Sequence, residues 1–494
     1  MYLFALFTMF CPLAAALGSI VLFKNSPWLY RLNVAAAVLS LSAVGWLWLQ
    51  GPLPLSWDNW LYVDALSLIF SLLVASLGLS ALVVSGPYLA AEIAGGHLQP
   101  RRLGQYYALL QLFIFTMQSA LFLENLGFVW VAIEATTLAS TLLVAFQSNR
   151  SSLEAAWKYV LLCTVGISLA MLGAILLYQA QVTAGVALEQ PLSLVALSQP
   201  GVLLDAPLSR LAFAFLLIGY ATKAGLAPMH TWLPDAHSQA PAPVSGLLSG
   251  ALLSCAFYVL LRHIAILRPS LPPGLPETAL LALGILSLAV AVPFLLLQHD
   301  LKRLLAYSSV EHMGILAIGA GVGTPAALFA CLLHVLTHGF TKSALFYAAG
   351  FITQEYHSRQ LSRIRGLLQA SPFLGWIFLA AMLSITGTPP FSVFLSKFLL
   401  LQALFAADRP WLAALLLLLL AGAFAGLMHY AGQLTGGTAP HSHRSVPLNH
   451  LTRFILIGSL LLVAIGGLFL PDMLVQLLND ATLIALGGAP YAKP

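Results

Sequence analysis

The sequence predicts an all-α polytopic membrane protein of about fourteen transmembrane helices, with two inverted five-helix repeats and breaks in the seventh and twelfth spans. Three observations carry this prediction. Hydrophobic residues make up 60% of the 494 and charged residues only 7%, against about 25% charged in an ordinary soluble domain. Apolar runs long enough to cross a bilayer follow one another along the whole chain. The few charges inside those runs recur at a near-constant offset.

So little solvating side chain excludes a soluble enzyme, a disordered protein and a nucleic-acid binder, and makes the lipid bilayer the solvent. A helical span needs roughly 20 apolar residues. Runs separated by polar or Pro/Gly breaks fall at 1–23, 31–50, 61–84, 105–123, 126–147, 157–180, 208–226, 243–267, 278–297, 303–321, 326–350, 371–405, 411–432 and 452–470. The first has no credible small-residue cleavage site and reads as a span, not a removable signal. The stretch 473–487 is too short to cross and is expected along the interface. Gly319, Gly321 and Gly323 read as a turn between spans.

Loop charges set the orientation. With an even number of spans and both termini outside, the inner loops carry Lys24, Arg31, Arg101, Arg102, Arg150, Lys302, Arg303, Arg359, Arg363, Arg365, Arg444 and Arg453. The outer side carries Arg210, Arg268, Arg409 and Lys493. This asymmetry is the one the positive-inside rule describes. It predicts a multi-pass protein of the cell's inner (plasma) membrane with both termini on the periplasmic side.

Four lysines remain inside apolar spans: Lys158, Lys223, Lys342 and Lys397. Glu134, Glu311, His263, His312, His334, His338 and His429 accompany them. Such groups cost a few kcal/mol each at the bilayer centre and survive by facing a wet interior and a partner. Two spans are interrupted, one by TKAGLAPMHTWLPDAHSQAPAPVS around Pro228, the other by ITGTPPFSVFLSK around Pro389 and Pro390. Paired interruptions point to an ion site in a repeat-built transporter. Glu134 precedes Glu311 by 177 residues, Lys158 precedes His334 by 176, Lys223 precedes Lys397 by 174 and His263 precedes His429 by 166. The offsets divide the chain into 1–104 (spans 1–3), 105–267 (repeat 1, spans 4–8), 278–432 (repeat 2, spans 9–13) and 452–494 (span 14 and tail). Five spans being an odd number, consecutive repeats have opposite orientations.

Protons cross membranes by hopping between titratable groups and water. Burial disfavours the charged form of lysine and glutamate alike, and an ion pair between them opposes that effect. Glu134 and Lys223 are therefore candidates for a switching pair. His334, His338 and Lys342 follow one another at four-residue steps and share one helix face. The spacing would also suit a metal, but zinc wants a third protein ligand, and the sequence supplies no obvious one. The four cysteines stand alone in apolar stretches with no C-x-x-C, so no metal and no cofactor is expected in this chain. Asp64 and Glu124 read as caps or interface residues at span ends. His441 and His443 fall in a Gly/Pro/Ser-rich loop and read as solvated.

TKAGLAPMHTWLPDAHSQAPAPVSGLLSG, QHDLKRLLAYSSVEHMG, HVLTHGFTKSALFYAAG and GTPPFSVFLSKFLL stand in that order. Together they resemble the signatures of the antiporter-like membrane subunits of respiratory complex I, a superfamily shared with Mrp antiporters and group 4 hydrogenases. The resemblance covers about residues 60–430. ENLGFVWVAIEATTLAS followed by EAAWKYVLLCTVGISLAMLG is most similar to the hydrogenase-4 component F branch. The resemblance implies a fourteen-helix core of two inverted five-helix repeats. It gives Glu134 as the fifth-helix glutamate, Lys223 as the lysine at the seventh-helix break, and Lys342 with His338 as the eleventh-helix pair. It gives Lys397 as the charged residue after the twelfth-helix break and, more loosely, His263 as the eighth-helix basic residue. His334, Lys158, Glu311 and His312 form a second tier. The chain departs from the outermost complex I subunit in lacking a long lateral helix after span 14, and the loop 436–450 matches no function.

The implied function is proton translocation along a central Glu/Lys/His axis, driven by redox chemistry in partner subunits of a membrane-bound respiratory oxidoreductase of the group 4 hydrogenase or NADH:quinone oxidoreductase type. Iron–sulfur clusters and a nickel–iron or quinone site would then sit in a peripheral redox arm, beside further membrane subunits. The alternatives are a subunit of a Mrp-type cation/proton antiporter, and a structural membrane subunit whose charges anchor neighbours.

Overall fold

The computed structural model describes residues 2–21, 26–50, 53–438 and 446–488. The expected loop histidines His441 and His443 lie outside the described residues. Helices α1 (Tyr2–Val21) and α2 (Ser26–Gln50) lead into an antiparallel hairpin of β1 (Leu55–Trp57) and β2 (Leu61–Val63), in register Leu55 to Val63. Then come α3 (Ala65–Ala94), α4 (Leu103–Phe122), α5 (Leu126–Val144), α6 (Arg150–Ala184), the one-turn α7 (Leu194–Leu197), α8 (Ala206–Ala224) and α9 (Trp232–Gln239). Helices α10 (Ala242–Leu247) and α11 (Leu253–Leu267) are joined by a π-turn at Leu248–Leu252 into one rod. The second half holds α12 (Leu275–Leu296), α13 (Leu301–Val322), α14 (Pro325–Glu355), the short α15 (Leu367–Ala370), α16 (Pro372–Thr386), α17 (Ser392–Ala406) and α18 (Pro410–Thr435). Helices α19 (His450–Leu468) and α20 (Asp472–Ala485) close the order.

Ten helices among the described residues are long and apolar enough to cross a membrane, so the expected fourteen is not reached by that measure. The other four expected spans correspond to α4, α8, α13 and the α16–α17 pair. α4 carries three glutamines, α8 carries Arg210 and Lys223, and α13 carries Lys302, Arg303, Glu311 and His312. α16 and α17 are apolar but short, because the chain breaks between them.

Helix ends follow local chemistry. Asp64 caps α3 in a capping box with Ser67, Asn125 caps α5, and Asn149 caps α6 in a box with Ser152. The box at Asn149 starts α6 earlier than the apolar run at 157 implied. The run expected from residue 61 starts instead as β2, because residues 61–63 pair with β1 and Asp64 begins the helix. Gly319 and Gly321 do not form a turn. They lie inside α13, and only Gly323 ends it, at φ +73°. Small residues let α12 and α13 meet at backbone distance: a Cβ on Gly284 would sit 2.7 Å from the Gly314 carbonyl oxygen.

The two breaks are built alike. α8 ends at Gly225, φ +76°, and α16 at Gly387, φ +86°, both in the left-handed region that only glycine adopts freely. Pro228 lies in the first gap, Pro389 and Pro390 in the second, and none offers an N–H to continue a helix. Backbone groups freed at the first break find side-chain partners. Trp232 Nε1 donates to the Thr222 carbonyl at 2.9 Å, and Ala227 N donates to Ser287 Oγ at 2.9 Å.

Burial separates an inner set of helices from an outer ring. The most apolar window of the α10–α11 rod is 100% buried, whereas those of α18 and α19 are 33% and 28% buried. The outer helices present Leu138 and Leu142 of α5, Trp157 and Leu161 of α6, and Phe454 and Leu461 of α19. In a chain of this composition such faces suit lipid or a neighbouring membrane subunit. α20 packs Leu477, Leu478 and Ala481 against α3 and α14.

Candidate functional site: a buried line of amines, carboxylates and imidazoles

In the first half, α5, α6 and α8 bring three polar side chains to one point. Lys223, fully buried in the last turn of α8, donates to Thr137 Oγ1 at 2.9 Å and to Tyr159 OH at 2.9 Å. Its ammonium lies 4.9 Å from the Tyr159 ring centroid. Thr137 in turn donates to Glu134 Oε2 at 3.2 Å, and Thr164 holds the other carboxylate oxygen at 3.0 Å. Glu134 and Lys223 are thus linked through one hydroxyl, without direct ion-pair contact.

The second half repeats the theme with more groups. Lys342 of α14 donates to the Leu305 carbonyl at 2.7 Å and to Ser308 Oγ, both on α13. Lys223 and Lys342 each donate two hydrogen bonds to neutral oxygens. An ammonium has three N–H groups and an amine has two, so either protonation state satisfies these partners. Glu311 of α13 pairs with Lys397 of α17 at 3.6 Å. Lys397 also reaches the Ile385 and Thr386 carbonyls at 3.3 and 3.4 Å, the carbonyls left open where α16 stops.

Beside this pair runs a chain of imidazoles. His312 Nδ1 and His334 Nε2 are 2.8 Å apart, and His334 Nδ1 lies 2.8 Å from Ser396 Oγ. The His338 ring stands 4.9 Å from that of His312. His338 is buried with neither ring nitrogen bonded to protein, and His312 Nε2 also lacks a protein partner. Among the described residues, no group of three or more His, Cys, Asp or Glu is arranged to hold a metal.

Two further buried histidines stand near these clusters. His263 of α11 rests on the Val259 carbonyl through Nδ1 at 2.8 Å and packs its ring on Tyr220, leaving Nε2 without a protein partner. His237 of α9 is fully buried, and its ring contacts Trp232 on one side and Phe346 on the other. Trp232 in turn stacks on Tyr159, the partner of Lys223.

Not every charge expected inside a span joins the line. Lys158 is 49% exposed and forms ion pairs with Glu154 at 2.8 Å and Asp235 at 3.2 Å. His429 is exposed on α18 against Tyr430. The offset pairs Lys158/His334 and His263/His429 therefore join unlike surroundings. Lys302 and Arg359, counted as inner-loop charges, hold the C-terminal end of α9: Lys302 donates to the Ala240 carbonyl at 2.6 Å and Arg359 to the Ser238 carbonyl at 2.8 Å. Asp64 is a cap as expected, and it also pairs with Arg262. Glu124 caps no adjacent helix. It accepts from Ser193 Oγ and from Val195 N at the start of α7. Sequence reasoning passed over Thr137, Tyr159, Ser308, Ser396 and His237. The available signal was hydroxyl residues one turn from buried charges, as in EATT and AYSSVEH.

Comparison with known proteins agrees with this architecture. The family described as "NADH:quinone oxidoreductase/Mrp antiporter, TM" matches residues 124–422. A hydrogenase-4 component F homolog of Methylacidiphilum infernorum is 39% identical over 85% of this chain and 88% of its own. NADH-quinone oxidoreductase subunit N of Desulforudis audaxviator is 33% identical over 79% of this chain and 78% of its own. In fold, the chain superimposes on a chain of a membrane-bound sulfane sulfur reductase, an archaeal respiratory membrane complex, with a TM-score of 0.84 at 21% identity over 98% of both. The buried line runs through the matched region, and the chain belongs to the NADH:quinone oxidoreductase/Mrp antiporter family of antiporter-like membrane subunits.

Proposed function

We propose that this protein is the proton-translocating membrane subunit of a membrane-bound respiratory oxidoreductase complex. The single observation that carries the proposal is the line from Glu134 through Thr137 to Lys223, resumed at Lys342 and ending at Glu311–Lys397 and the His312–His334 pair. Amines and imidazoles exchange protons, whereas a hard metal cation takes a cluster of oxygens. This favours proton movement over sodium binding at the line itself.

Several further readings belong to the same proposal. The fourteen spans are the ten long helices plus α4, α8, α13 and the α16–α17 pair, and the matching breaks at Gly225 and Gly387 support two inverted repeats bounded as the offsets indicate. Protons would pass Glu134, Lys223, His263, His338, Lys342 and Lys397, with His334, Glu311 and His312 alongside. Iron–sulfur clusters and a nickel–iron or quinone site would lie in a peripheral redox arm, and further membrane subunits would flank the apolar faces of α5 and α6. Redox energy would shift the Glu134–Lys223 linkage between two arrangements. The membrane would be the inner one, with both termini outside.

The test is proton pumping into vesicles by the assembled complex. Glu134→Gln and Lys223→Ala should each abolish most pumping while the complex still assembles. Normal pumping in both variants defeats the proposal. Co-purification of iron–sulfur partners supports the redox complex. A preparation holding membrane subunits alone, with sodium-dependent proton exchange, would place the chain with the Mrp-type antiporters instead.

A further inference from the structure

Asp64 and Arg262 form a buried ion pair where α3 begins and α11 nears its end. Asp64 Oδ1 accepts both the Ser67 N–H at 2.9 Å and Arg262 Nη2. The other oxygen, Oδ2, and Arg262 Nε have no protein partner, although the two side chains are only 1% and 6% exposed. Both residues line a cavity of about 110 Å³, walled also by Tyr62, Ser198, Gln199 and Gly487. That volume holds about three or four waters.

The chemistry of the walls selects the occupant. An anion would face the Asp64 carboxylate, and a cation would face the Arg262 guanidinium. A neutral molecule that both donates and accepts suits the free oxygen and the free N–H together, and water is such a molecule. A pair kept only as a staple would have its hydrogen bonds satisfied by protein, and a buried pair adds little net stability over apolar packing.

The surroundings single out Asp64. Of the titratable groups around it, Tyr258 donates its hydroxyl to the Leu121 carbonyl at 3.1 Å and lays its ring 5.0 Å from the guanidinium. Glu124 is taken up by Ser193 and Val195. Asp64 thus keeps a free carboxylate oxygen. His263 directly follows Arg262 on α11, and its Nε2 has no protein partner. Beyond the helix end, a Cβ on Gly487 would lie 3.1 Å from the Ala265 carbonyl oxygen, so Gly487 and Gly488 form one wall of the cavity.

We propose that the Asp64–Arg262 pair and its cavity form a water-filled proton-release port at the outer end of the bundle, gated by the pair itself. This rests on the proton-translocating function proposed above. With Arg262 engaged, Asp64 is a bare carboxylate. When the guanidinium swings off, the carboxylate takes a proton from hydronium arriving through the cavity water, giving a carboxylic acid and water. Re-formation of the pair expels that proton to the outer water, and Arg262 stays cationic throughout.

Two measurements on the assembled complex test the port. Asp64→Asn combined with Arg262→Gln keeps a hydrogen-bonded pair but removes both charges. The port requires proton pumping to fall at least about tenfold in this assembled double variant, on the scale of a lost proton-transfer group. Full pumping there makes the pair a staple and overturns the port. Ala265→Cys places a thiol in the cavity wall. It should react with a membrane-impermeant thiol reagent added outside and not inside. Protection from the outer reagent overturns the port whether or not the double variant assembles. A wild-type complex that pumps no protons defeats the proposed function instead, and the thiol labelling still decides whether the cavity opens outward.

Discussion

Glu134 and Lys223 are connected by the hydroxyl of Thr137, which donates to the carboxylate at 3.2 Å and accepts from the amine at 2.9 Å. A hydroxyl in this position passes a proton by giving up its own hydrogen as it receives another. Thr137→Val keeps the shape and removes the relay. Pumping should fall on the order of tenfold or more, while Thr137→Ser retains it. Vesicle acidification by the two variants makes the comparison, and equal rates would remove Thr137 from the path.

The Glu311–Lys397 pair is 2% and 8% exposed. Removing one partner of such a pair leaves an uncompensated buried charge and costs about 3–5 kcal/mol. Glu311→Gln should therefore lower the thermal stability of the purified complex, and Glu311→Gln with Lys397→Met should restore much of it. Pumping should remain lost in the double variant. Thermal melts read the first outcome and acidification the second.

Lys158 tests the boundary of the line. Its partners are Glu154 and Asp235 at a half-exposed position, and such pairs contribute little. Lys158→Ala should pump at the wild-type rate in the acidification assay. A collapse of pumping would return Lys158 to the path.

Gly467 fixes α19 against the second break. A Cβ there would lie 1.9 Å from the Pro390 carbonyl oxygen, too close for any side chain without backbone movement. Gly467→Ala should destabilise the protein by about 1–3 kcal/mol or more and shift the chain around Pro390. The yield and melting temperature of the assembled complex report it. Gly458→Ala, whose Cβ would meet nothing within 4 Å, is the matched control.

Span positions were readable because lipid demands long apolar runs and the breaks fall on Gly and Pro. The start of α6 was less readable, since Arg150 and Glu154 look like loop residues until the Asn149 capping box is recognised. The titratable set was visible as charges out of place, but exposure was not. Lys158 and Lys223 look alike in sequence, and only packing shows that one meets a surface carboxylate and the other two buried hydroxyls. The relay residues were hidden for a related reason. Thr, Ser and Tyr are ordinary in membrane helices, where they bond their own backbone as Ser254 does to Gly250 at 3.0 Å. The partner of Asp64 lies 198 residues away, a separation that no local pattern encodes.

The hydrogen bond between His312 and His334 has a consequence for timing. Two imidazoles 2.8 Å apart share a single hydrogen, so one ring donates and the other accepts. A proton that enters His334 at one nitrogen and leaves by the other exchanges the tautomer of the ring. After one passage every hydrogen in the pair points the opposite way, and a second proton finds the donor where it needs an acceptor. On the proposed proton path the pair must be turned back before it conducts again, which would make this stretch of the protein a one-proton counter whose resetting is a separate step of each cycle.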